Sequence, residues 1–242
     1  MPLLEICTYS LADALTAQAA GADRIELCAD AFVGGITPSA GIIQTARELL
    51  HIALFVMIRP RGGDFVYSDT EFAAMKRDIE FCRNLKVDGV VLGLLDPEHN
   101  VDRPRTAELV TAARPMATTF HRAFDLTTDP MQALEEVIAT GCSRILTSGH
   151  RPTAIEGAVE IAKLNTAANG RITIMPGSGV RSTKLADLAR TTAATEFHSS
   201  ARAVASTAKA SNTIEQGFGQ LHPIDAEEVQ RLRQVADSLH NG

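Results

Sequence analysis

The 242-residue chain has no tryptophan and only two tyrosines. It therefore has little with which to build the aromatic platforms on which single-stranded nucleic acids stack. Basic residues form no long run and the formal charge is -6, so the broad positive face that general nucleic-acid binding requires is not there either. No stretch of about 20 apolar residues occurs, and no membrane-spanning helix is expected. The opening Met-Pro-Leu-Leu-Glu-Ile-Cys lacks a basic start and a long apolar region, so no signal peptide is expected. Four cysteines do not make a disulfide framework at this length, and a reducing cytoplasm is the expected location. The hydrophobic share, 45%, is that of an ordinary globule. The length suits either one large domain or two small ones, and a parallel barrel commonly runs to ~250 residues as a single domain.

Short apolar runs alternate with amphipathic helical patterns, the rhythm of a parallel sheet with crossover helices. The strand candidates are Leu3–Cys7, Arg24–Cys28, Ala53–Ile58, Gly89–Leu92, Ala117–His121, Arg144–Thr147, Arg171–Met175 and Glu196–Ser199. Eight of them match a closed α/β barrel, the TIM (β/α)8 fold. An open doubly wound sheet that binds dinucleotides needs a glycine-rich turn after its first strand; here Cys7-Thr8-Tyr9-Ser10 follows, with no glycine. Between the strands, Ser10 opens a helix with Leu11, Ala14 and Leu15 on one face, and Ser68 with Glu71 forms a capping box for a helix reaching Leu85. Asp129-Pro130 starts another helix that Gly141 ends, and Ser182 caps one ending near Arg190. Residues 1–202 form the barrel domain; 203–219 read as a loop, followed by an additional C-terminal helix from Asp225 to Leu239, all packed on the same domain. That helix covers the barrel or joins a partner subunit, and a homo-oligomer is expected.

One tripeptide pattern occurs twice, as Glu5-Ile6-Cys7 and Glu26-Leu27-Cys28. Alternate residues of a strand share a face, so each copy sets a carboxylate and a thiol on one side and an aliphatic residue on the other. Active sites of barrels lie where the strands end, and these ends are polar. The expected mouth is lined by Glu5, Cys7, Glu26, Cys28, Arg59, His121 and His198. Each residue also has a purely architectural reading. A buried cysteine commonly acts as a small hydrophobe, as expected of Cys82 and Cys142. A buried glutamate must be compensated, so Glu5 and Glu26 fit equally as partners of Arg24, Arg59 or Arg144.

Two loops add donors. Arg59-Pro60-Arg61-Gly62-Gly63-Asp64 presents guanidinium groups suited to carboxylate or phosphate, or else an internal Arg–Asp pair. Gly177-Ser178-Gly179 and Ser199-Ser200-Ala201-Arg202 follow strands seven and eight, where barrel enzymes often hold phosphate. Arg61, Gly177, Gly179, Ser200 and Arg202 are thus candidate anion-binding residues.

The stretches GADRIELCAD, GGITPSAGII, VMIRPRGGDF, TFHRAFD, RILTSG, IMPGSGV and EFHSSAR resemble, in order over residues 1–202, the copper homeostasis protein CutC family. The resemblance implies a cytoplasmic TIM barrel linked to copper handling, with Cu(I) as the bound ion and Cys7 and Cys28 as its ligands. Soft thiolates select Cu(I), and adjacent strands ~4.8 Å apart let two thiols share one ion. The residues alone also support an enzyme acting on a small anionic molecule. There Glu5 or Glu26 is a general base with a raised pKa, His121 the acid or electrophile, and Arg59 and Arg202 hold the anion.

Overall fold

The computed structural model describes residues 1–202 and 223–239; the loop expected over 203–219 lies outside them. Among the described residues eight strands form one parallel sheet: Leu3–Thr8 (β1), Arg24–Leu27 (β2), Ala53–Met57 (β3), Gly89–Leu92 (β4), Ala117–Phe120 (β5), Arg144–Thr147 (β6), Thr173–Pro176 (β7) and Glu196–Ser199 (β8). Every expected strand is present; β4, β6 and β8 have the expected bounds, and the other five shift at one or both ends. The largest shift is at β7, because Arg171 sits in the preceding turn and binds Glu135 at 2.6 and 2.7 Å. The strand order is β7-β6-β5-β4-β3-β2-β1-β8. Its two end strands lie side by side, and the sheet curls into a nearly closed barrel.

Helices cover the outside: Leu11–Ala19 (α1), Ala40–Leu49 (α2), Asp69–Asn84 (α3), Arg103–Ala113 (α4), Pro130–Thr140 (α5), Ala158–Ala168 (α6), Ser182–Thr192 (α7) and Ala226–Ser238 (α8). Their ends follow the sequence signals. Ser10 accepts from Asp13 N–H, Ser68 and Glu71 close a capping box, and Asp129, just before Pro130, accepts from the Met131 and Gln132 N–H groups. Gly141 stops α5 at φ +86°, a left-handed conformation that suits glycine. Two readings are corrected. Leu15 is 38% exposed while Ala14 and Ala17 are buried, so the inner face of α1 runs through the residues three apart. Ser182 is the first helical residue of α7 rather than its cap. Its N–H and hydroxyl donate to Glu228 of α8 at 2.8 and 2.9 Å, a carboxylate placed where the helix dipole favours one. The α8 helix packs against α7, α1 and β1. It buries Val229 and Leu232 completely, worth about 1.5–3 kcal/mol each.

The strand alternation separates two cores. Leu4, Ile6, Ile25, Leu27, Leu54, Val56, Val90, Phe120, Ile145, Ile174 and Phe197 point outward and join the helices in one large apolar cluster. Inside the barrel, a small separate cluster holds Cys7, Cys28, Phe55, Met57 and Val91. Most of the remaining inner positions are polar, with Met175 and Leu146 as apolar exceptions. No described helix is long and apolar enough to cross a membrane.

Candidate functional site at the barrel mouth

The lower inner layer is a salt-bridge network. Arg24 Nη2 donates to Glu196 Oε2 at 2.6 Å and lies 3.3 Å from Met175 Sδ, and its Nε pairs with Glu5. Arg144 Nε meets the same Glu196 oxygen at 3.0 Å. Between the two guanidinium groups lies the Phe55 ring, 4.7 Å from Arg24 Cζ and 5.0 Å from Arg144 Cζ, so both cations rest on its faces. Two buried cations face one buried carboxylate, Glu5, and one half-buried one, Glu196. That balance is what makes charge in a barrel interior tolerable.

The second layer is built on this one. In the parallel register, Glu5 lies opposite Arg24 on one side and His198 on the other, and Cys7 lies opposite Glu26. Glu5 Oε1 is 2.7 Å from His198 Nδ1, which orients the imidazole with Nε2 upward, 3.9 Å from Glu26 Oε2. The Sγ atoms of Cys7 and Cys28 are 3.9 Å apart, and Cys28 Sγ is 3.5 Å from Glu26 Oε2. One ligand atom each of Cys7, Glu26 and His198 falls within 4.8 Å of the others. All four cysteines of the chain are free and buried. Cys82 and Cys142 lie in the outer core, as their architectural reading expects.

The titration behaviour follows from this packing. Burial would raise the Glu5 carboxyl, but Arg24 and His198 outweigh it and hold the group at about 2 against an ordinary 4.5. Glu5 is thus not the raised general base expected of it; its two cationic neighbours keep it ionised. Burial, then the charge on Cys7, pushes Glu26 well above 4.5. The hydrogen bond from Cys28 draws the Cys7 thiol well below 9.0; burial opposes this and His198 assists it. Cys28 is correspondingly raised by its bond to Cys7 and by burial. Burial opposes charge on His198, yet Glu26, Cys7 and Glu5 together raise it well above 6.5. The packing thus favours the thiolate of Cys7 and the protonated ring of His198, and disfavours charge on Glu26 and Cys28.

Above this floor opens a cavity of about 530 Å³. Cys7, Glu26, Arg59, His121, Gly179, Ser200 and Arg202 line it, together with His198. Four other expected residues do not. Glu5 is fully buried one layer down. Cys28 is roofed by Gly35, whose φ of +94° and position over the Cys28 sulfur leave no room for a side chain. Arg61 turns outward, with Nε 2.6 Å from Glu71 and Nη2 3.0 Å from Asp64; the internal Arg–Asp pair is what the loop contains. Gly177 spends its N–H on Thr147 O, and a side chain there would collide with Leu146, so its smallness serves packing rather than an anion. Arg59 lines the cavity, but Nη1 donates to Val33 O and Gly35 O and Nη2 to Gly63 O, tying two loops together.

His121 Nδ1 accepts from Ala123 N–H at 3.2 Å, and its Nε2 is buried without a partner. Burial and the neighbouring Arg59 charge hold His121 down at about 3, so it is a neutral imidazole. Sequence reading missed two of its neighbours. A side chain at Gly93 would collide with His121 Nδ1; a glycine just beyond a buried strand is the signal of such an approach. Tyr9, directly after β1, lines the cavity and carries the Arg202 guanidinium on its ring at 4.4 Å.

Comparison with known proteins agrees with this architecture. The model of the CutC family matches residues 2–203. A CutC family protein of Chromobacterium violaceum is 56% identical over 200 residues, covering 83% of this chain and 81% of its own length. The copper homeostasis protein cutC homolog of Homo sapiens is 46% identical over 200 residues, covering 83% and 73%. Among solved structures, a CutC protein from Streptococcus agalactiae superposes with a TM-score of 0.79 at 36% identity, covering 83% of this chain and 99% of that one. Phosphoribosylanthranilate isomerase of Thermotoga maritima, with a TM-score of 0.62 at 13% identity over 98% of this chain and 100% of its own, shares the barrel fold alone. The chain belongs to the CutC family, a family associated by name with copper homeostasis.

Proposed function

We propose that this chain serves copper homeostasis by binding Cu(I) as its cargo, with Cys7 and Cys28 as the ligands. One observation carries the reading: two unoxidised thiols 3.9 Å apart at the floor of the mouth. The donor set fits the ion. Sulfur is the ligand Cu(I) prefers, and the thioether of Met57 belongs to the same inner cluster. Metal binding needs deprotonated sulfur, and the packing already favours the thiolate of Cys7. His198 and Glu26 fall within reach of Cys7 as further donors, though the Glu26 carboxylate is a hard ligand poorly matched to a soft cation. Free thiols of this kind persist in a reducing compartment such as the cytoplasm.

The test is a Cu(I) competition titration against bicinchoninate under anaerobic, reducing conditions. The wild-type chain should take up one Cu(I), and Cys7→Ser with Cys28→Ser should abolish uptake. Stoichiometric binding that persists in the double variant would sink the proposal.

A further inference from the structure

The mouth contains more than a copper ion requires. A cavity of about 530 Å³ falls in the ~300–1,000 Å³ range typical of small organic ligands. Three buried polar atoms of the residues lining it have no partner: Glu26 Oε1, Arg59 Nε and His121 Nε2. His121, 4% exposed, uses Nδ1 to accept from Ala123 N–H, which places its proton on Nε2, and that N–H is unbonded. Glu26 Oε1 is likewise buried and unbonded. Leaving such a group unsatisfied is unfavourable, and a bound ligand relieves it. The imidazole is fixed in the orientation that donation needs. Phe65 packs against it with ring centroids 4.8 Å apart, and the missing side chain of Gly93 makes its room.

The charge on the same wall is also unbalanced. Arg202 Cζ sits over the Tyr9 ring, 4.4 Å from its centroid, and no carboxylate among the described residues bonds to it. Arg59, 5% exposed, bonds only to main-chain carbonyls through its Nη atoms, and its Nε has no partner. Two guanidinium groups therefore face one cavity without a partner anion, and guanidinium is the side chain best matched to phosphate or carboxylate.

We propose that the upper mouth is a binding site for a small oxyanion-bearing carbonyl compound, with its phosphate or carboxylate against Arg202 and Arg59 and its carbonyl oxygen accepting from His121 Nε2–H. The site lies above the thiol pair and does not depend on the copper reading. A neutral N–H donor fixed in a buried wall binds an acceptor without paying to reorganise, and it polarises the carbonyl it holds.

The experiment uses the full-length, reduced, metal-free chain and isothermal titration. Dihydroxyacetone phosphate is the phosphate probe and 2-oxobutyrate the carboxylate probe; whichever binds identifies the anion. Arg202→Met should weaken that binding about tenfold or more, the value of one charge-assisted hydrogen bond. His121→Asn keeps an oxygen for the Ala123 N–H and removes the Nε2 donor. It should abolish the shift of the bound carbonyl infrared band to lower frequency, a change that a merely structural histidine would not produce. Thermal melts of both variants confirm that they fold. Absence of binding by either probe at about 10 mM, or affinity and carbonyl band unchanged in both variants, overturns the proposal.

Discussion

Replacing Glu5 by Gln tests the charge scheme on which the site is built. Glu5 is fully buried and lies between Arg24 and His198. Its carboxyl titrates at about 2 when folded against 4.5 ordinarily. At about 1.4 kcal/mol per pH unit, that difference is worth about 3 kcal/mol. Removing one partner of a buried ion pair costs about 3–5 kcal/mol, so two separate routes agree. The sign follows from the direction. A carboxyl depressed by folding stabilises the folded state above its unfolded pKa, and the contribution fades as pH falls from 4.5 toward 2. Glu5→Gln should therefore cost about 3 kcal/mol at pH 7, a fall in Tm of roughly 6–12 °C for a chain of this size. The deficit should shrink steadily below pH 4.5. His121, held neutral by burial, adds acid lability of its own, because the unfolded chain takes up that proton below 6.5. It does so in both proteins and cancels in the difference, which reports Glu5 together with its coupling to His198. Circular dichroism melts of the two proteins from pH 7 to pH 3 supply the measurement. A Tm difference that is negligible at neutral pH, or equally large at pH 7 and pH 3, would refute the reasoning.

Two further outcomes are expected. Gly93→Ala, whose new methyl would overlap His121 Nδ1, should destabilise the fold by about 1–3 kcal/mol and lower affinity for any ligand of the mouth; a neutral result by urea denaturation counts against the tight seating of His121. The His121 ring proton resonances should not move between pH 8 and pH 5, since its pKa lies at about 3; a titration midpoint above 6 by NMR would contradict the burial argument.

The fold was legible because it rests on periodicity. Eight runs of alternating side chains, separated by helical patterns of which several open on a visible cap, leave little choice but a parallel barrel. The rim at β7 shows where that signal stops. Arg171 precedes an alternating run and looks like its first residue, yet its partner Glu135 lies on a helix, and no local pattern reveals that. The chemical identity of the inner face was legible for the same reason as the fold. A spacing of two places Glu5 with Cys7 and Glu26 with Cys28, whatever the register.

What a single chain does not display is how high each residue sits in the barrel. Read side by side, the two Glu-x-Cys copies look equivalent, and they suggest two acids at one level beneath two thiols. The strands of a barrel are staggered, and here the stagger sets Glu5 opposite Arg24 and Cys7 opposite Glu26. One copy is thus displaced by a full inward step against the other. That displacement drives the pKa values of two identical carboxylates in opposite directions. The lower one meets Arg24 and His198 and stays ionised. The upper one is buried beside Cys7 with no cation bonded to its free oxygen, so its pKa is pushed well above the ordinary 4.5. The same step sets Cys7 at the cavity wall and Cys28 above it, beneath Gly35. The stagger therefore produces both features that the functional readings use: a sulfur pair sharing one space, and a wall above it whose remaining polar atoms are still unpaired.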